Sequence, residues 1–206
     1  MSEGAIVKNK IYGFKGAYAP TFYKIKSISD LPTAKKIADE THTLYQELLL
    51  NKQLSGVMKM HWKQCCERAA LYLTLKKYYP KRALEWIELS TKASGEKTAA
   101  AINRSLRIPG MKNFFLPIMK FIAGKMFGEK GGFQNHFVSY TKTEARFDIL
   151  ECPYCRYLSE LGCPELTANF CMSDEYAYGN LEGFKFERTQ TLGTGGVKCD
   201  FCLKKG

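Results

Sequence analysis

The chain has 206 residues, of which 45% are hydrophobic and 25% charged, and its net charge is +11. This composition is typical of a folded globular protein and excludes a mainly disordered chain, because disordered chains carry too few apolar residues to form a core. The N-terminus lacks the apolar stretch of a secretory signal, and lysine or proline interrupts every apolar run before membrane-spanning length, so we expect a cytoplasmic protein.

Helical periodicity dominates the chain before residue 133. Residues 1–29 place glycine and proline between aromatic residues, which predicts irregular or short extended structure. Breaks are predicted at Gly95 and at Pro109-Gly110, because these residues commonly end helices. The predicted helices, which should form an antiparallel body over residues 30–132, cover residues 30–51, 54–79, 81–92, 98–106 and 111–127.

A different pattern follows over residues 133–206. Strands are predicted at 137–141 and 146–150, short helices after Pro153 and Pro164, and two further strands at 184–189 and 197–203. Helices followed by β-β-α-α-β-β indicate an α+β fold, with a helical body followed by a small antiparallel sheet and two short helices. We expect this module and the helical body to unfold as one cooperative unit.

The charge is unevenly distributed along the chain. Residues 145–206 carry 7 basic and 9 acidic side chains, so the basic excess belongs to the residues before them. Such a surface is either a set of solvated lysines or a contact face for an anionic partner. No specific nucleic-acid motif accompanies it, and contact with a membrane surface is a less favoured alternative.

Cysteines concentrate near the C-terminus, which suggests a chemical role. Paired C-x-x-C motifs can surround a zinc ion or an iron-sulfur cluster. However, the two pairs are 43 residues apart, and Cys199 and Cys202 should face opposite sides of a strand. A site using all four is therefore disfavoured, and several of these thiols are expected to pack as small apolar groups. The six cysteines of this region are Cys152, Cys155, Cys163, Cys171, Cys199 and Cys202.

A second cluster comprises His61, Cys65 and Cys66. His61 and Cys65 are four residues apart on a predicted helix, so they share one face and could bind a metal or form a thiol-base pair. Apolar neighbours on the same helix favour core packing for all three.

The C-terminal third resembles a known family through the order and spacing of several short segments. These are Cys152-Pro-Tyr, Leu158-Ser-Glu-Leu-Gly162, Pro164-Glu-Leu166, Phe170-Cys171, Asp174, Phe186-Glu-Arg-Thr-Gln-Thr-Leu192, Gly195 and Cys199-Asp-Phe201. The family is that of L-2-amino-thiazoline-4-carboxylic acid hydrolases. The resemblance implies a cytoplasmic hydrolase that opens a cyclic amidine ring, with recurrent polar positions at Cys152, Cys171, Asp174, Arg188, Cys199 and Asp200.

One mechanism for such a site uses a thiolate. Cys171 or Cys199 would add to the carbon that bears the amino group, while an acid moves protons. The candidate acids are Asp174 and Asp200, and Arg188 would hold the substrate carboxylate, with Thr191 as a second substrate-binding residue. Asp174 and Asp200 could instead serve a helix end and a turn, and Arg188 a cross-strand pair.

The alternative mechanism uses a metal. A zinc or iron ion held by Cys152, Cys171 and Cys199 would activate a water molecule, with Cys155 and Cys202 as weaker candidate ligands. The cofactor is therefore zinc, iron or none. The competing class is a noncatalytic zinc or iron-sulfur module with a basic partner-binding helical surface. For the hydrolase we expect a small anionic substrate, and a homo-oligomer remains an open alternative.

Overall fold

The computed structural model describes residues 11–206. Within this range, helices come first and the sheet is built from the C-terminal half, so the predicted α+β class and the β-β-α-α-β-β order are confirmed. The helices are α1 (Ala19–Ile28), α2 (Leu31–Leu50), α3 (Gly56–Tyr78), α4 (Ala83–Leu106), α5 (Met111–Met126), α6 (Pro153–Glu160) and α7 (Leu166–Tyr178). The strands are β1 (Gln134–Tyr140), β2 (Glu144–Glu151), β3 (Phe184–Glu187) and β4 (Cys199–Lys205).

The prediction of irregular structure before residue 30 is wrong for α1, while residues 1–10 lie outside the described range. Pro20 lies in the first turn of α1, where its missing N–H costs no hydrogen bond. Phe22 and Ile25 are fully buried, and the Thr21 hydroxyl donates to the Trp86 carbonyl of α4 at 2.7 Å. Tertiary packing against α4 therefore stabilises a helix that the local sequence does not indicate.

The predicted break at Gly95 is also wrong, because α4 continues through it. Gly95 is buried where α4 meets α7, and a methyl group built on it would overlap the Cβ of Tyr176. The glycine therefore permits close approach of two helices and does not end one.

Gly95→Ala is expected to destabilise the protein by about 1 to 3 kcal/mol, because the added methyl forces α4 and α7 apart. The matched control is Gly124→Ala in α5, where the new methyl meets nothing within 4 Å. This control substitution should raise the free energy of unfolding by about 0.5 to 1 kcal/mol, because alanine lowers the conformational entropy of the unfolded chain. Urea denaturation of both variants measures the difference, and equal stability of the two would contradict the close packing.

The sheet is antiparallel, with strand order β1-β2-β4-β3. Phe147 pairs with Phe201 and Ile149 with Cys199 in the β2–β4 register. Alternation along β4 places Cys199 and Phe201 toward the helices and Cys202 on the other side, as the spacing of the two cysteines predicts.

The main apolar core crosses the predicted boundary between the helical body and the cysteine-rich module. Trp62, Leu71 and Ile87 of the helical body belong to the same buried cluster as Tyr157 and Leu166. Cooperative unfolding of the two parts remains a prediction. Among residues 11–206, no helix is both long and apolar enough to cross a membrane.

Candidate active site

A cavity of about 190 Å³ lies between one face of the sheet and helices α3, α5 and α7. Its wall is mostly apolar, with a small set of polar groups that converge on it, as is usual for small-molecule sites. The polar and sulfur-bearing residues that line it are Gln64, Arg68, Met119, Cys152, Tyr154, Thr167, Cys171, Ser173, Asp174, Tyr178, Arg188 and Cys199.

One face of α7 supplies a row of these side chains. Thr167, Cys171, Asp174 and Tyr178 are spaced by four, three and four residues, so a regular helix brings them to the same side. Cys171 and Asp174 are therefore neighbours in the cavity wall because of helical geometry alone. Two of the predicted catalytic residues thus lie on one element.

Three donors surround the Cys171 sulfur. The Cys199 thiol, the Thr191 hydroxyl and the Gly193 backbone N–H all hydrogen bond to it, and the Arg188 charge acts in the same direction. These interactions outweigh burial and lower the pKa of Cys171 to about 6. These neighbours therefore favour the thiolate form of Cys171.

Gly193 can deliver its N–H because it lacks a side chain. A Cβ at this position would lie 2.8 Å from the Cys171 sulfur and 2.8 Å from Thr167 Cγ2. The loop between β3 and β4 consequently reaches the sulfur through its backbone.

Cys199 is the donor of the thiol pair. Its hydrogen bond to the Cys171 sulfur and its burial raise the pKa of Cys199, while the Leu192 N–H donates to its sulfur at 3.2 Å. The two thiols therefore titrate as a coupled pair, in which the pKa of Cys171 is lowered and the pKa of Cys199 is raised.

The pKa of Asp174 is shifted in the opposite direction from that of an ordinary ion-paired carboxylate. Burial away from water raises the pKa of Asp174 to about 7, although the positive charge of Arg188 lowers it. A third of the side-chain surface stays open to the cavity. A carboxyl group with this pKa can give or accept a proton near neutral pH.

Arg188 is already fully engaged within the protein. Nη1 donates to Asp174 Oδ2 at 3.0 Å, and Nη2 donates to the Cys171 carbonyl at 3.0 Å and to Glu175 Oε1 at 2.9 Å. Only 4% of its side chain is exposed. The geometry leaves little capacity for the substrate-carboxylate role predicted for Arg188, and it points to a structural anchor for α7.

A family model describes this region of the chain. The model of the L-2-amino-thiazoline-4-carboxylic acid hydrolase family matches residues 59–203, well over half of the sequence. The chain belongs to this family. No curated protein and no solved structure matches it significantly.

The hydrolase-family match extends further than the sequence resemblance, which covers only the C-terminal third. It includes most of α3 and all of α4 and α5, and all the residues that line the cavity fall within it. The helical wall of the cavity is therefore part of the family's common region.

Asp200 lies apart from this cavity. It belongs to the other side of β4, where its carboxylate accepts from the backbone N–H groups of Thr189 and Gln190 at 2.9 Å and from the Thr189 hydroxyl. Thr191 does not line the cavity wall either, but its hydroxyl makes a hydrogen bond with the Cys171 sulfur. Asp200 thus holds the segment that brings Thr191 to the thiolate.

The cysteines predicted as metal ligands do not come together as one ligand set among the described residues. Cys152 lines the cavity at the start of α6. Its thiol makes a hydrogen bond with Cys155, and this hydrogen bond lowers the pKa of Cys155. Cys202 is on the far side of the sheet. Among the described residues, no three side chains from His, Cys, Asp and Glu are placed to hold one metal ion.

The interpretation of the His61 cluster as core is confirmed for Cys65 and Cys66, which are fully buried. His61 is also buried; its Nε2 donates to the Met126 carbonyl at 2.8 Å, and its Nδ1 hydrogen bonds with the Tyr154 hydroxyl at 2.7 Å. Burial lowers the pKa of His61, which fits a neutral ring in this arrangement. The histidine thereby positions Tyr154 in the cavity wall.

Sequence reasoning missed Gln64, Arg68, Tyr154 and Ser173 in the hydrolase-family cavity. The four-residue spacing of Gln64 and Arg68 indicates a shared helix face. However, no feature of the sequence relates that face to Cys171.

Proposed function

We propose that this member of the family opens the ring of a small cyclic amidine that carries a carboxylate, such as 2-amino-thiazoline-4-carboxylate. The observation that carries the proposal is the Cys171 thiolate, held by three donors beside a carboxyl group of pKa about 7 in one cavity. A stabilised nucleophile next to a proton carrier is the pairing that covalent hydrolysis requires.

Ring opening would begin with addition of the Cys171 sulfur to the carbon between the ring nitrogen and the ring sulfur of the protonated amidine. This ring carbon becomes tetrahedral, with the amino group, the ring nitrogen, the ring sulfur and the Cys171 sulfur attached. The bond to the ring sulfur then breaks in preference to the bond to nitrogen, because a thiol is the more acidic leaving group. Protonated Asp174 gives its proton to the departing sulfur.

Water would complete the reaction. Asp174, now ionised, accepts a proton from a water molecule that adds to the same carbon. The carbon-sulfur bond to Cys171 breaks, the thiolate returns, and the added hydroxyl loses its proton to solvent. The product is a urea with a free thiol, and no ammonia is released.

The surrounding groups would favour each step by being in place beforehand. Cys199, Thr191 and Gly193 hold the sulfur as an anion both before attack and after its release. All eight cysteines are free thiols, which fits the reducing compartment that we propose for this protein, the cytoplasm.

The test is turnover of 2-amino-thiazoline-4-carboxylate by protein purified without oxygen, followed by nuclear magnetic resonance of the product and by rapid acid quench with mass spectrometry. We expect a substrate-derived adduct on the peptide that contains Cys171 and a urea product without ammonia. Turnover should persist after dialysis against a chelator.

The competing class predicts a different result. A noncatalytic zinc or iron-sulfur module would hold stoichiometric metal and convert no cyclic amidine. Turnover that is lost with the chelator and restored by zinc or iron would replace the thiolate mechanism with metal-activated water.

A further inference from the structure

We propose that Arg68 is the residue that binds the carboxylate of the substrate, and so determines specificity for anionic ligands. The inference rests on the proposed function and extends it to a residue of α3. It follows from the different surroundings of the two arginines that line the cavity, Arg68 and Arg188.

Arg188 has its charge balanced inside the protein. Two carboxylates, those of Asp174 and Glu175, form ion pairs with it at 3.0 and 2.9 Å. A ligand carboxylate that approached Arg188 would meet these two groups as well. The Glu175 carboxylate would oppose an additional anion there by like charge, also when Asp174 is protonated.

Arg68 senses the charge of the neighbouring Glu67 but, among the described residues, makes no direct ion pair of this kind. Its Nη2 donates to the neutral Ser173 hydroxyl at 3.1 Å, and its guanidinium carbon lies 3.8 Å from the centre of the Phe170 ring. Within residues 11–206, no carboxylate makes an ion pair with it, and its Nη1 is buried without a hydrogen-bond partner. The Tyr18 hydroxyl hydrogen bonds with Arg68, but it is neutral because burial raises the pKa of Tyr18.

A cation in the wall of a largely apolar cavity is costly unless an anion compensates it. The contact with Phe170 fixes the plane of the guanidinium, so its donors are held in place before a carboxylate binds. Ser173, which also lines the cavity, can add a hydrogen bond to the same ligand.

The placement also suits the reacting atoms. Phe170, under the guanidinium, and Ser173, bonded to it, flank Cys171 on α7. A carboxylate held by Arg68 would therefore orient a small ring toward the thiolate.

The test compares 2-amino-thiazoline-4-carboxylate with 2-aminothiazoline, which lacks the carboxylate. In Arg68→Gln, KM for the acid should rise about 10- to 100-fold, the range of a lost hydrogen bond to a charged group, with kcat nearly unchanged. KM for 2-aminothiazoline should not change. Arg68→Lys should restore part of the discrimination, and the exposed Arg82→Gln should behave as wild type. Equal effects of Arg68→Gln on both compounds would overturn the inference.

A second readout does not depend on turnover. Iodoacetate and iodoacetamide both alkylate thiolates, but only iodoacetate is anionic, and peptide mass spectrometry measures their rates at Cys171. The rate with iodoacetate divided by the rate with iodoacetamide should fall about tenfold in Arg68→Gln and stay constant in Arg82→Gln. If the ratio falls although no thiazoline is converted, the anion site stands and the proposed function fails. An unchanged ratio contradicts the role of Arg68.

Discussion

Replacing Cys171 with serine is expected to lower kcat/KM by about 10³-fold or more, because a hydroxyl is not ionised at neutral pH and cannot replace the thiolate. The fold should be retained, since serine differs from cysteine by one atom. Activity assays and circular dichroism of the purified variant check both expectations. Wild-type turnover by Cys171→Ser would remove this residue from the mechanism.

The pH dependence tests the same site more finely. The pKa of Cys171 is lowered to about 6, so the thiolate and the rate of alkylation by iodoacetamide should increase through pH 6 and level off above it. The pKa of Asp174 is raised to about 7, so its acid form is lost above that pH. The kcat/KM profile should therefore be bell-shaped, with its maximum between pH 6 and 7.

Cys199→Ala should move the alkylation profile to higher pH, because it removes the first and largest cause of the lowered Cys171 pKa. Cys202→Ala is the matched control, since Cys202 is a buried cysteine on the same strand that faces away from the cavity. Its profile should coincide with that of wild type. A similar shift in both variants would attribute the effect to disturbance of β4.

Replacing Arg188 with methionine is expected to cost about 1.5 to 3 kcal/mol of the free energy of unfolding, because it removes hydrogen bonds to two half-buried carboxylates and to a backbone carbonyl. Arg188 is nearly inaccessible and joins Asp174, Glu175 and the Cys171 carbonyl. Arg107→Met is the matched control, since its pair with Glu182 is exposed to solvent and should contribute much less to stability. Guanidinium chloride denaturation measures both losses.

The loss in Arg188→Met should depend on pH. A carboxyl whose pKa is raised in the folded protein binds its proton more tightly there than in the unfolded chain, so its contribution to stability falls as the pH increases through the shifted range. Burial raises the pKa of Asp174 and Arg188 opposes the rise, so removing Arg188 raises it further. The destabilisation should therefore be larger at pH 8 than at pH 5. A loss that does not vary with pH would indicate that packing of the side chain, and not its charge, matters.

Local signals in the sequence correctly predicted most helices and all four strands. Pro153 opens α6, and the alternation along β4 separates Cys199 from Cys202. The predictions failed where a distant partner decides the conformation. Gly95 lies within α4 because Tyr176 packs against it, and α1 is helical because α4 covers its apolar face.

The sequence by itself determined the fold class and the family resemblance, and it left Cys171 and Cys199, and likewise Asp174 and Asp200, as alternatives. Only the tertiary structure lowers the pKa of Cys171 and raises that of Cys199, because the donors to Cys171 come from a separate strand and loop. It also separated Asp200 from the cavity and joined Arg68 to Ser173 across 105 residues. Charge and proton affinity depend on neighbours in space, and helical and strand periodicity do not specify contacts between distant segments.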